Sequence, residues 1–426
     1  MLSPADAQFA RRDPDLPGLA LILDPDAFAG ALRTALSATD VGEAQAVYVR
    51  YKPRTNCLVS YRLNMADAEV NIYAKAFRPD AGDKLNKARR RSGRNGTLKP
   101  GTVVLDEAVV VYAFPHDRKL DTLAHLADEG MRRRLLAHLL PDRPELWEAA
   151  LIDLHYKPER RYVARLATDN GAAALLKVYA ADGFNAASNN ARAFASRGPL
   201  QLPQRLGRSN RYRALALQWL PGRPLTEAAR EPAFDLGVMD QIGAALAELH
   251  RQNPKRLAYR SREIEAAALM SAAVGVAAVY PNLSERAFNL AKELCVELLQ
   301  APRLDCPIHG DFSSDQVLVG EKGVAILDLD RSARSDPAAD LGSFVARIEY
   351  DTLTGDLPFC RATALTDSLL EGYRRATRGN LPPRIGLYIA AGLLRLAPLP
   401  FRSRDPAWLI RTLAVLERAE EIANYG

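Results

Sequence analysis

The chain has 426 residues, of which 48% are hydrophobic and 25% are charged, and its formal net charge at pH 7 is +6. This composition excludes a disordered or fibrous protein, and the length favours two or three domains with a large core. The positive charge suits an anionic ligand, although a generally arginine-rich composition explains it more simply.

The cysteines are too scattered for a zinc site or a disulfide framework, which favours a reducing compartment. The N-terminus has acidic residues where a secretory signal would be basic and then apolar, and the longest weakly polar run, residues 266–280, is too short to span a bilayer. We therefore expect a cytoplasmic protein without a membrane span. The four cysteines are Cys57, Cys295, Cys306 and Cys360.

The first part of the chain predicts a strand, a helix and then a meander of strands. Residues 17–23 are a continuous apolar run and predict a strand, and a helix capped near Asp24 follows to about Leu36. From Val47 onward, three strand-like segments alternate with polar turns: V-Y-V-R-Y-K-P, C-L-V-S-Y-R-L and N-I-Y-A-K-A-F.

A similar order of segments returns about 105 residues later. The tripeptide Tyr-Lys-Pro at 51–53 matches the one at 156–158 at an offset of 105 (156 − 51), and Lys75 pairs with Lys177 at 102 (177 − 75). Features aligned at nearly one offset indicate an internal duplication. The alternative is two unrelated meanders that share one tripeptide.

Residues 84–99 of the first unit contain basic residues and no acids. A patch that binds nucleic acid or phosphate is one interpretation. No aromatic residue is interleaved with the charges, so we favour a solvated helix and loop.

The most informative stretch is 308–344. It begins I-H-G-D-F-S-S-D-Q-V-L-V, turns at Glu321-Lys322-Gly323, and continues V-A-I-L-D-L-D-R and D-P-A-A-D-L-G-S-F. The first block puts His309 and Asp311 in a glycine-containing loop, with Gln316 five residues further on.

The second block is a short apolar run that predicts a buried strand ending in Asp328 and Asp330. Carboxylates on two hairpin-linked segments can place a base opposite a metal-bound triphosphate, which is most of what phosphoryl transfer needs. The alternative is that these acids are ordinary turn and helix-cap residues. The order and spacing of all the segments favour the functional interpretation.

This stretch resembles the catalytic and metal loops of the aminoglycoside phosphotransferase / choline kinase-like family, a branch of the protein-kinase-like fold. The resemblance implies that Asp311 is the catalytic base and Asp328 the principal Mg²⁺ ligand. Gln316 stands where the family most often has Asn, and its amide oxygen is the expected second ligand. Asp340 is implied as a structural acid that ties the following helix to the catalytic loop.

The resemblance implies supporting roles for two further residues. His309 shapes the loop, and Asp330 supports the metal ligands, with Arg331 as its expected partner. In the family, the acceptor lies between the catalytic loop and the late helices. The implied acceptor contacts are Glu349, Tyr350 and Asp351.

Only the second unit leads directly into the catalytic loop, so the resemblance assigns the nucleotide to that unit. Lys177 matches the family's phosphate-gripping lysine. The turn before it has no glycine, and Arg160 or Arg161 is expected to contact the phosphates instead. The linker between lobes, whose backbone reads adenine in the family, matches Gln218, Trp219 and Leu220.

One family feature is missing, because no helix carboxylate follows Lys177 to pair with it. Asp182 is the only acid before Trp219 and is expected in a turn, and the helix predicted at about 186–197 has none. Lys177 then pairs with a neutral group, with Asp182 or with an acid of the first unit, or it is not held for catalysis. The last outcome would favour a pseudokinase that binds nucleotide or acts as a scaffold.

We therefore expect an α+β protein with a two-lobe protein-kinase-like fold. Residues 146–222 form the small antiparallel-sheet lobe, 223–426 the helical catalytic lobe, and 1–145 an extra unit without a catalytic loop. The expected activity is transfer of the ATP γ-phosphoryl group, with Mg²⁺, to a hydroxyl of a small molecule. The first unit braces the second, covers the cleft, or forms a homodimer or protein-partner surface.

Overall fold

A computed structural model describes residues 2–37, 41–65, 68–91, 101–105, 108–321, 323–379 and 381–425. Two units built on five-stranded antiparallel sheets precede a mostly helical part. The predicted α+β class is confirmed.

The first unit has a sheet with the strand order β1-β2-β3-β5-β4, with its first three helices against one face and its fourth helix against the other. The strand predicted at 17–23 is wrong, because Leu19, Ile22 and Leu23 are buried at helical spacing. The cap at Asp24 is confirmed. The elements are α1 (Pro4–Arg11), α2 (Leu19–Leu23), α3 (Pro25–Leu36), β1 (Val41–Lys52), β2 (Asn56–Met65), β3 (Ala68–Phe77), α4 (Gly82–Arg91), β4 (Thr102–Leu105) and β5 (Val109–Ala113).

The basic stretch is described only in part. Its beginning lies in α4, and residues 92–99 lie outside the described residues. The helix that is described is amphipathic and exposes most of its charged side chains. This arrangement is compatible with the solvated surface that the sequence favours.

The second unit has the strand order β6-β7-β8-β10-β9. Its helices α5 and α6 pack on this sheet, although the expected boundary at 145 assigns them to the first unit. The helix after Lys177 begins and ends earlier than the predicted 186–197. The elements are α5 (Thr122–Ala127), α6 (Glu129–Leu139), β6 (Ala150–Lys157), β7 (Arg161–Ala167), β8 (Ala173–Tyr179), α7 (Ala181–Asn190), β9 (Arg205–Ser209) and β10 (Ala214–Gln218).

The two sheets correspond strand for strand. Lys75 on β3 lies opposite Val110, and Lys177 on β8 lies opposite Leu215. The two residues that face the lysines, Val110 and Leu215, are 105 residues apart (215 − 110). Both lysines therefore occupy the same position on the central strand. This equivalence supports the internal duplication, which stays a prediction.

The helical part contains two hydrophobic cores. Its elements are β11 (Arg223–Pro224), α8 (Leu225–Ala228), α9 (Gly237–Arg251), α10 (Arg262–Val279), α11 (Ser284–Gln300), β12 (Cys306–Ile308), β13 (Val317–Gly320), β14 (Gly323–Ile326), β15 (Ala333–Ser335), α12 (Ala338–Leu353), α13 (Phe359–Ala376), α14 (Ile385–Leu396), α15 (Leu399–Arg402) and α16 (Trp408–Tyr425). Strand β12 pairs with β15, and β13 pairs with β14. The loops at 309–316 and 327–332 consequently lie side by side.

The first unit also contacts the helical part. The rings of Phe9 and Phe401 lie 4.7 Å apart, and Trp408 belongs to the same core cluster. Arg404 forms an ion pair with Asp6 at 2.8 Å, with side-chain exposures of 12% and 6%. The first unit is therefore anchored to the C-terminal helices.

One described segment, Ile385–Arg402, has the length and composition that a membrane span would need. It is 61% buried inside the protein, as the core helix of a globular protein would be.

Candidate active site

The buried carboxylate of Asp340 holds the backbone of the loop at 309–316. The N–H of His309 donates to Oδ2 at 2.6 Å and the N–H of Gly310 donates to Oδ1 at 2.8 Å. The ring of His250 lies 3.0 Å from Oδ2. Burial would raise the pKa of Asp340, but the hydrogen bonds from His250 and from the N–H of Gly310 lower it. The carboxylate therefore stays ionised and accepts all three hydrogen bonds.

Gly310 lets this loop approach the segment at 327–332. Its φ is +81°, and a Cβ at this position would lie 2.3 Å from the carbonyl oxygen of Arg331. Arg260 donates to the carbonyl oxygens of both Gly310 and Arg331, at 3.3 and 2.8 Å. Sequence reasoning missed Arg260, because no motif indicates a side chain that bridges two loops through their carbonyls.

His309 uses both ring nitrogens inside the protein. Nδ1 accepts the N–H of Asp311 at 3.3 Å, and Nε2 lies 2.6 Å from the carbonyl oxygen of Leu327. This pattern fits the neutral tautomer with the proton on Nε2. His309 thus links the two loops, and neither of its nitrogens is left to transfer a proton.

Asp311 faces a cleft of about 790 Å³ that Gln316 and Asp330 also line. Its side chain is 57% exposed, and Oδ1 lies 3.6 Å from Nη1 of Arg331. Arg331 therefore pairs with Asp311, and the expected pairing of Arg331 with Asp330 is wrong. The Asp311 carboxylate is accessible to a molecule in the cleft.

Lys177 is held by the two acids that follow β14. Its Nζ lies 2.7 Å from Oδ1 of Asp328 and 3.2 Å from Oδ1 of Asp330, and the lysine side chain is 5% exposed. Arg161 donates to the other oxygen of Asp328 at 2.7 Å, and the hydroxyl of Tyr179 donates to Asp330 at 3.1 Å. Two cations and two carboxylates thus form one cluster between the lobes.

The two carboxylates are not electrostatically equivalent. Burial would raise the pKa of Asp328, but the charges of Lys177 and Arg161 outweigh burial and lower it. Burial raises the pKa of Asp330, and the neighbouring Asp328 carboxylate adds to the increase despite the attraction of Lys177. Asp328 is consequently the more firmly ionised of the pair.

The partner of Lys177 is thus none of those expected. Asp182 lies exposed in the first turn of α7, and the acids that hold Lys177 come from the C-terminal lobe. Helix α7 contacts this segment through a neutral residue instead. The amide of Asn190 donates to the carbonyl oxygens of Asp330 and Ser332 at 3.2 and 2.9 Å.

The turn between β6 and β7 is held from the first unit through Glu159. Its carboxylate lies 2.8 Å from Nζ of Lys75, 2.6 Å from Arg50 and 2.8 Å from Arg118. Burial would raise the pKa of Glu159, but the hydrogen bond from Arg118 and the charge of Lys75 lower it to about 2. Sequence reasoning missed Glu159, because all three partners belong to the other unit.

Of the two arginines expected in this turn, Arg160 is exposed and Arg161 reaches Asp328. The predicted linker at 218–220 connects β10 to β11. In it, the N–H of Gln218 donates to the carbonyl oxygen of Gln204 at 2.7 Å. Trp219 lies under the guanidinium of Arg165, 4.7 Å from the ring centroid, and Trp219 and Leu220 are half-buried.

The donor atoms near Asp328 suit a magnesium ion that arrives with a nucleotide. Within the described residues, no group of three or more His, Cys, Asp or Glu side chains is arranged to hold a metal. Mg²⁺ typically takes only one or two carboxylates and completes its shell with phosphates and water. Asp328 and Asp330 provide adjacent carboxylates, and Gln316 lines the same cleft with an amide that donates to Asp315 at 3.1 Å. This set fits Mg²⁺ in donor chemistry.

The three expected acceptor contacts are occupied elsewhere. Glu349 forms an ion pair with Arg418 at 2.9 Å. Tyr350 is buried in the helical core, and Asp351 accepts from Arg347 at 3.0 Å. None of the three lines this cleft, and their role as acceptor contacts stays a prediction. The described residues that line the cleft on this side are Glu265, Ser343, Arg347, Gly392 and Arg395.

A model of the phosphotransferase enzyme family (APH) matches residues 153–388, more than half of the chain. The first unit lies outside the match. A search of curated proteins finds no match.

Solved structures with a similar fold include three kinases or relatives of kinases. Amicoumacin kinase hAmiN in complex with AMP-PNP, Ca²⁺ and Ami has 16% identity and a TM-score of 0.50, over 70% of this chain and 94% of that one. An apo thermostable mutant of aminoglycoside phosphotransferase APH(4)-Ia has 18% identity and a TM-score of 0.47, over 65% of this chain and 95% of that one. A choline/ethanolamine kinase family protein from Mesorhizobium loti has 16% identity and a TM-score of 0.46, over 68% of this chain and 92% of that one.

At these identities, the likeness to hAmiN shows the fold alone, and it agrees with the two-lobe arrangement expected from the sequence. The family model covers most of the second sheet, the loop at 309–316 and helices α12 and α13. The chain belongs to the phosphotransferase enzyme family and has its two-lobe kinase-like fold.

Proposed function

We propose that the protein transfers the γ-phosphoryl group of ATP to a hydroxyl group of a small molecule. The observation that carries the proposal is the shared cleft: Asp311, Gln316 and Asp330 line one cavity of about 790 Å³. Lys177 and Asp328 form an ion pair beside it. A base, oxygen ligands and a cation are thus near one another, as phosphoryl transfer requires.

Asp311 is the proposed base. Its carboxylate is exposed to the cleft, while Asp340 fixes the backbone on its N-terminal side. The acceptor oxygen forms a bond to the γ-phosphorus as the bond to the bridging oxygen of ADP breaks, and the hydroxyl proton passes to Asp311. A positioned carboxylate contributes about 10² to 10⁴ in rate through such proton transfer.

Lys177 and Arg161 are the proposed phosphate contacts. Both are positive, both touch Asp328, and both come from the small lobe. Fixed cations beside developing negative charge stabilise a transition state without reorganisation. Mg²⁺ bound with the nucleotide would neutralise phosphate charge, and Asp328 and Gln316 would be its protein ligands.

The alternative is a pseudokinase that binds nucleotide or acts as a scaffold. It is favoured because Asp182, the one carboxylate of α7, is exposed and does not pair with Lys177. However, Lys177 has two carboxylate partners without that helix residue, so the feature no longer argues strongly against catalysis.

The two functions are separated by measuring nucleotide binding and turnover on the same preparations. ATP with Mg²⁺ is expected to raise the unfolding midpoint of the wild type, because a ligand that binds only the folded state stabilises it. ADP release with a panel of hydroxy compounds then reports turnover. Binding without turnover for any acceptor would favour a nucleotide-binding pseudokinase, and no binding would contradict phosphoryl transfer and leave only the scaffold.

A further inference from the structure

The wall of the cleft beyond Asp311 carries several arginines, and most of them have partners. Arg260 donates to two carbonyl oxygens, Arg331 faces Asp311, and Arg347 donates to Asp351. Arg395, near the end of α14, lines the same cleft. Among the described residues, Arg395 has neither a hydrogen-bond acceptor nor an ion-pair partner.

The surroundings of Arg395 are unusual for an accessible cation. The residue is exposed through the cleft, yet the protein around it lowers the pKa of the guanidinium by displacing water. All five of its N–H donors lack a protein acceptor in the described chain. A planar guanidinium with free donors matches the oxygens of a carboxylate or phosphate.

The acids near Arg395 do not provide a site for a cation. Glu265 is buried and accepts from the hydroxyls of Ser335 and Tyr388 at 3.1 and 3.5 Å, and burial raises its pKa. Among the described residues of α10, α12 and α14 that line the cleft, Glu265 is the only acid, and a ligand ammonium group there would also meet Arg395. The wall therefore favours a negative group over a positive one.

We infer that the acceptor is a small hydroxy compound with a carboxylate or phosphate group, and that Arg395 binds this group. The inference rests on the proposed function. Arg395 and Asp311 line the same cleft. An acceptor anchored at Arg395 can therefore present its hydroxyl to Asp311.

The test uses acceptors that differ mainly in charge: glycerol, glycerate, glycerol 3-phosphate, ethanolamine and choline. ADP release is measured for the wild type, for Arg395→Gln and for Arg395→Lys. We expect glycerate or glycerol 3-phosphate to have the highest kcat/KM. Arg395→Gln should reduce kcat/KM about tenfold or more for these acids and leave kcat/KM for neutral acceptors nearly unchanged. For the acids, Arg395→Lys should have a kcat/KM between those of the wild type and Arg395→Gln.

Arg256→Gln is the matched control, because Arg256 is an exposed arginine on the rim of the same cleft. Arg256→Gln should not change the ratio of kcat/KM for acidic acceptors to kcat/KM for neutral acceptors. Higher turnover of an amino alcohol, an equal effect of Arg395→Gln on all acceptors, or binding of ATP without turnover of any acid would overturn the inference. Failure of ATP to bind the wild type would instead overturn the proposed function.

A different observation, the contact between the two units, carries a second inference. Lys75 occupies in the first sheet the position that Lys177 occupies in the second. The carboxylate beside Lys75 is Glu159, from the β6–β7 turn of the second unit. The N–H of Glu159 also donates to Asp117 at 2.8 Å, so the turn is fixed through both backbone and side chain.

We propose that the first unit positions this turn over the nucleotide, with Glu159 and Lys75 as positioning residues that act through Arg161. Arg161 follows Glu159 by two residues and reaches Asp328 at 2.7 Å. In place of a flexible glycine-rich loop, the protein then has a turn clamped by a buried ion-pair network. The first unit has no catalytic loop of its own and does not need one for this role.

Glu159→Gln and Lys75→Met should raise the KM for ATP several-fold and weaken ATP binding measured by calorimetry, whereas the acceptor KM should change little. Glu159→Asp should restore part of the affinity. Asp6→Asn is the matched control, since Asp6 joins the first unit to the helical part through Arg404 and should lower only the unfolding midpoint. The proposal fails if Glu159→Gln behaves like Asp6→Asn, with lower stability and unchanged ATP affinity.

Discussion

Lys177 and Asp328 contact each other directly, with Nζ 2.7 Å from Oδ1, although they lie 151 residues apart in the chain. This ion pair joins the central strand of the second sheet to the segment that follows β14. It also keeps a buried lysine paired, although Asp182, the one acid of α7, is exposed and does not contact it. The cluster with Arg161 and Asp330 is therefore a structural link between the lobes as well as the proposed phosphate site.

Asp328→Asn should reduce the free energy of unfolding by about 2 kcal/mol, because it leaves two neighbouring cations with less compensating charge. Asp328 has φ +62°, and Asn adopts this left-handed region readily, so backbone strain adds little. Urea-induced unfolding without nucleotide measures the effect. Asp315→Asn, at an exposed carboxylate of the catalytic loop, is the control and should cost less than about 0.5 kcal/mol. Equal stability of Asp328→Asn and the wild type would contradict this prediction.

Asp340→Asn should destabilise the protein by about 3 kcal/mol. The carboxylate accepts hydrogen bonds from two backbone N–H groups on different oxygens, and an amide would turn its NH₂ toward one of these donors. Urea-induced unfolding of the variant measures the loss, and proteolysis within 309–316 should become faster than in the wild type. A variant with native stability and native resistance to proteolysis would show that Asp340 does not hold the loop.

Gly310→Ala should destabilise the protein more than Gly171→Ala does. Both glycines have positive φ, at +81° and +83°, so both substitutions carry a conformational cost of about 1 kcal/mol. A Cβ at Gly310 would also collide with the carbonyl oxygen of Arg331 at 2.3 Å, whereas nothing lies within 4 Å at Gly171. The difference between the unfolding midpoints of the two variants measures the cost of the collision between the two loops, separately from the cost of the positive φ. Equal midpoints would mean that the loops separate at little cost.

The Glu159 network should make stability depend on pH in acid. The pKa of Glu159 is lowered from 4.5 to about 2, so its contribution is complete above about pH 4.5 and is lost as the pH falls toward 2. A shift of this size corresponds to about 3 kcal/mol. The stability difference between the wild type and Glu159→Gln should therefore be largest near pH 7 and shrink below pH 4.5. A difference that stays constant down to pH 3 would show that the ion pairs contribute little.

Local patterns in the sequence predicted the first three strands of each sheet and the hairpin that carries Asp328, but not the edge strands β4 and β9. They did so because alternation, turn residues and short apolar runs reflect backbone geometry directly. The same reasoning failed at 17–23, since a run of apolar residues suits a buried strand and a buried helix alike. Leu19, Ile22 and Leu23 reveal the helical spacing only once their burial is known.

The partners of the site residues could not be predicted in the same way. Lys177 pairs with acids of the other lobe and Glu159 with cations of the other unit, and these contacts depend on how separate units pack. The residues that line the acceptor side of the cleft could not be predicted either. The family resemblance indicated the region around Glu349, but which helix face meets the cleft is decided by packing, and Arg395 belongs to a later helix.

The most direct test of phosphoryl transfer uses γ-labelled ATP with Mg²⁺ and the panel of hydroxy compounds, with the wild type and Asp311→Asn compared. We predict that the wild type labels a small molecule, and that Asp311→Asn labels it at least about 100-fold more slowly while ATP still raises its unfolding midpoint. Equal labelling by both proteins would contradict the role of Asp311. Stabilisation by ATP without any labelled product from the wild type would contradict catalysis itself.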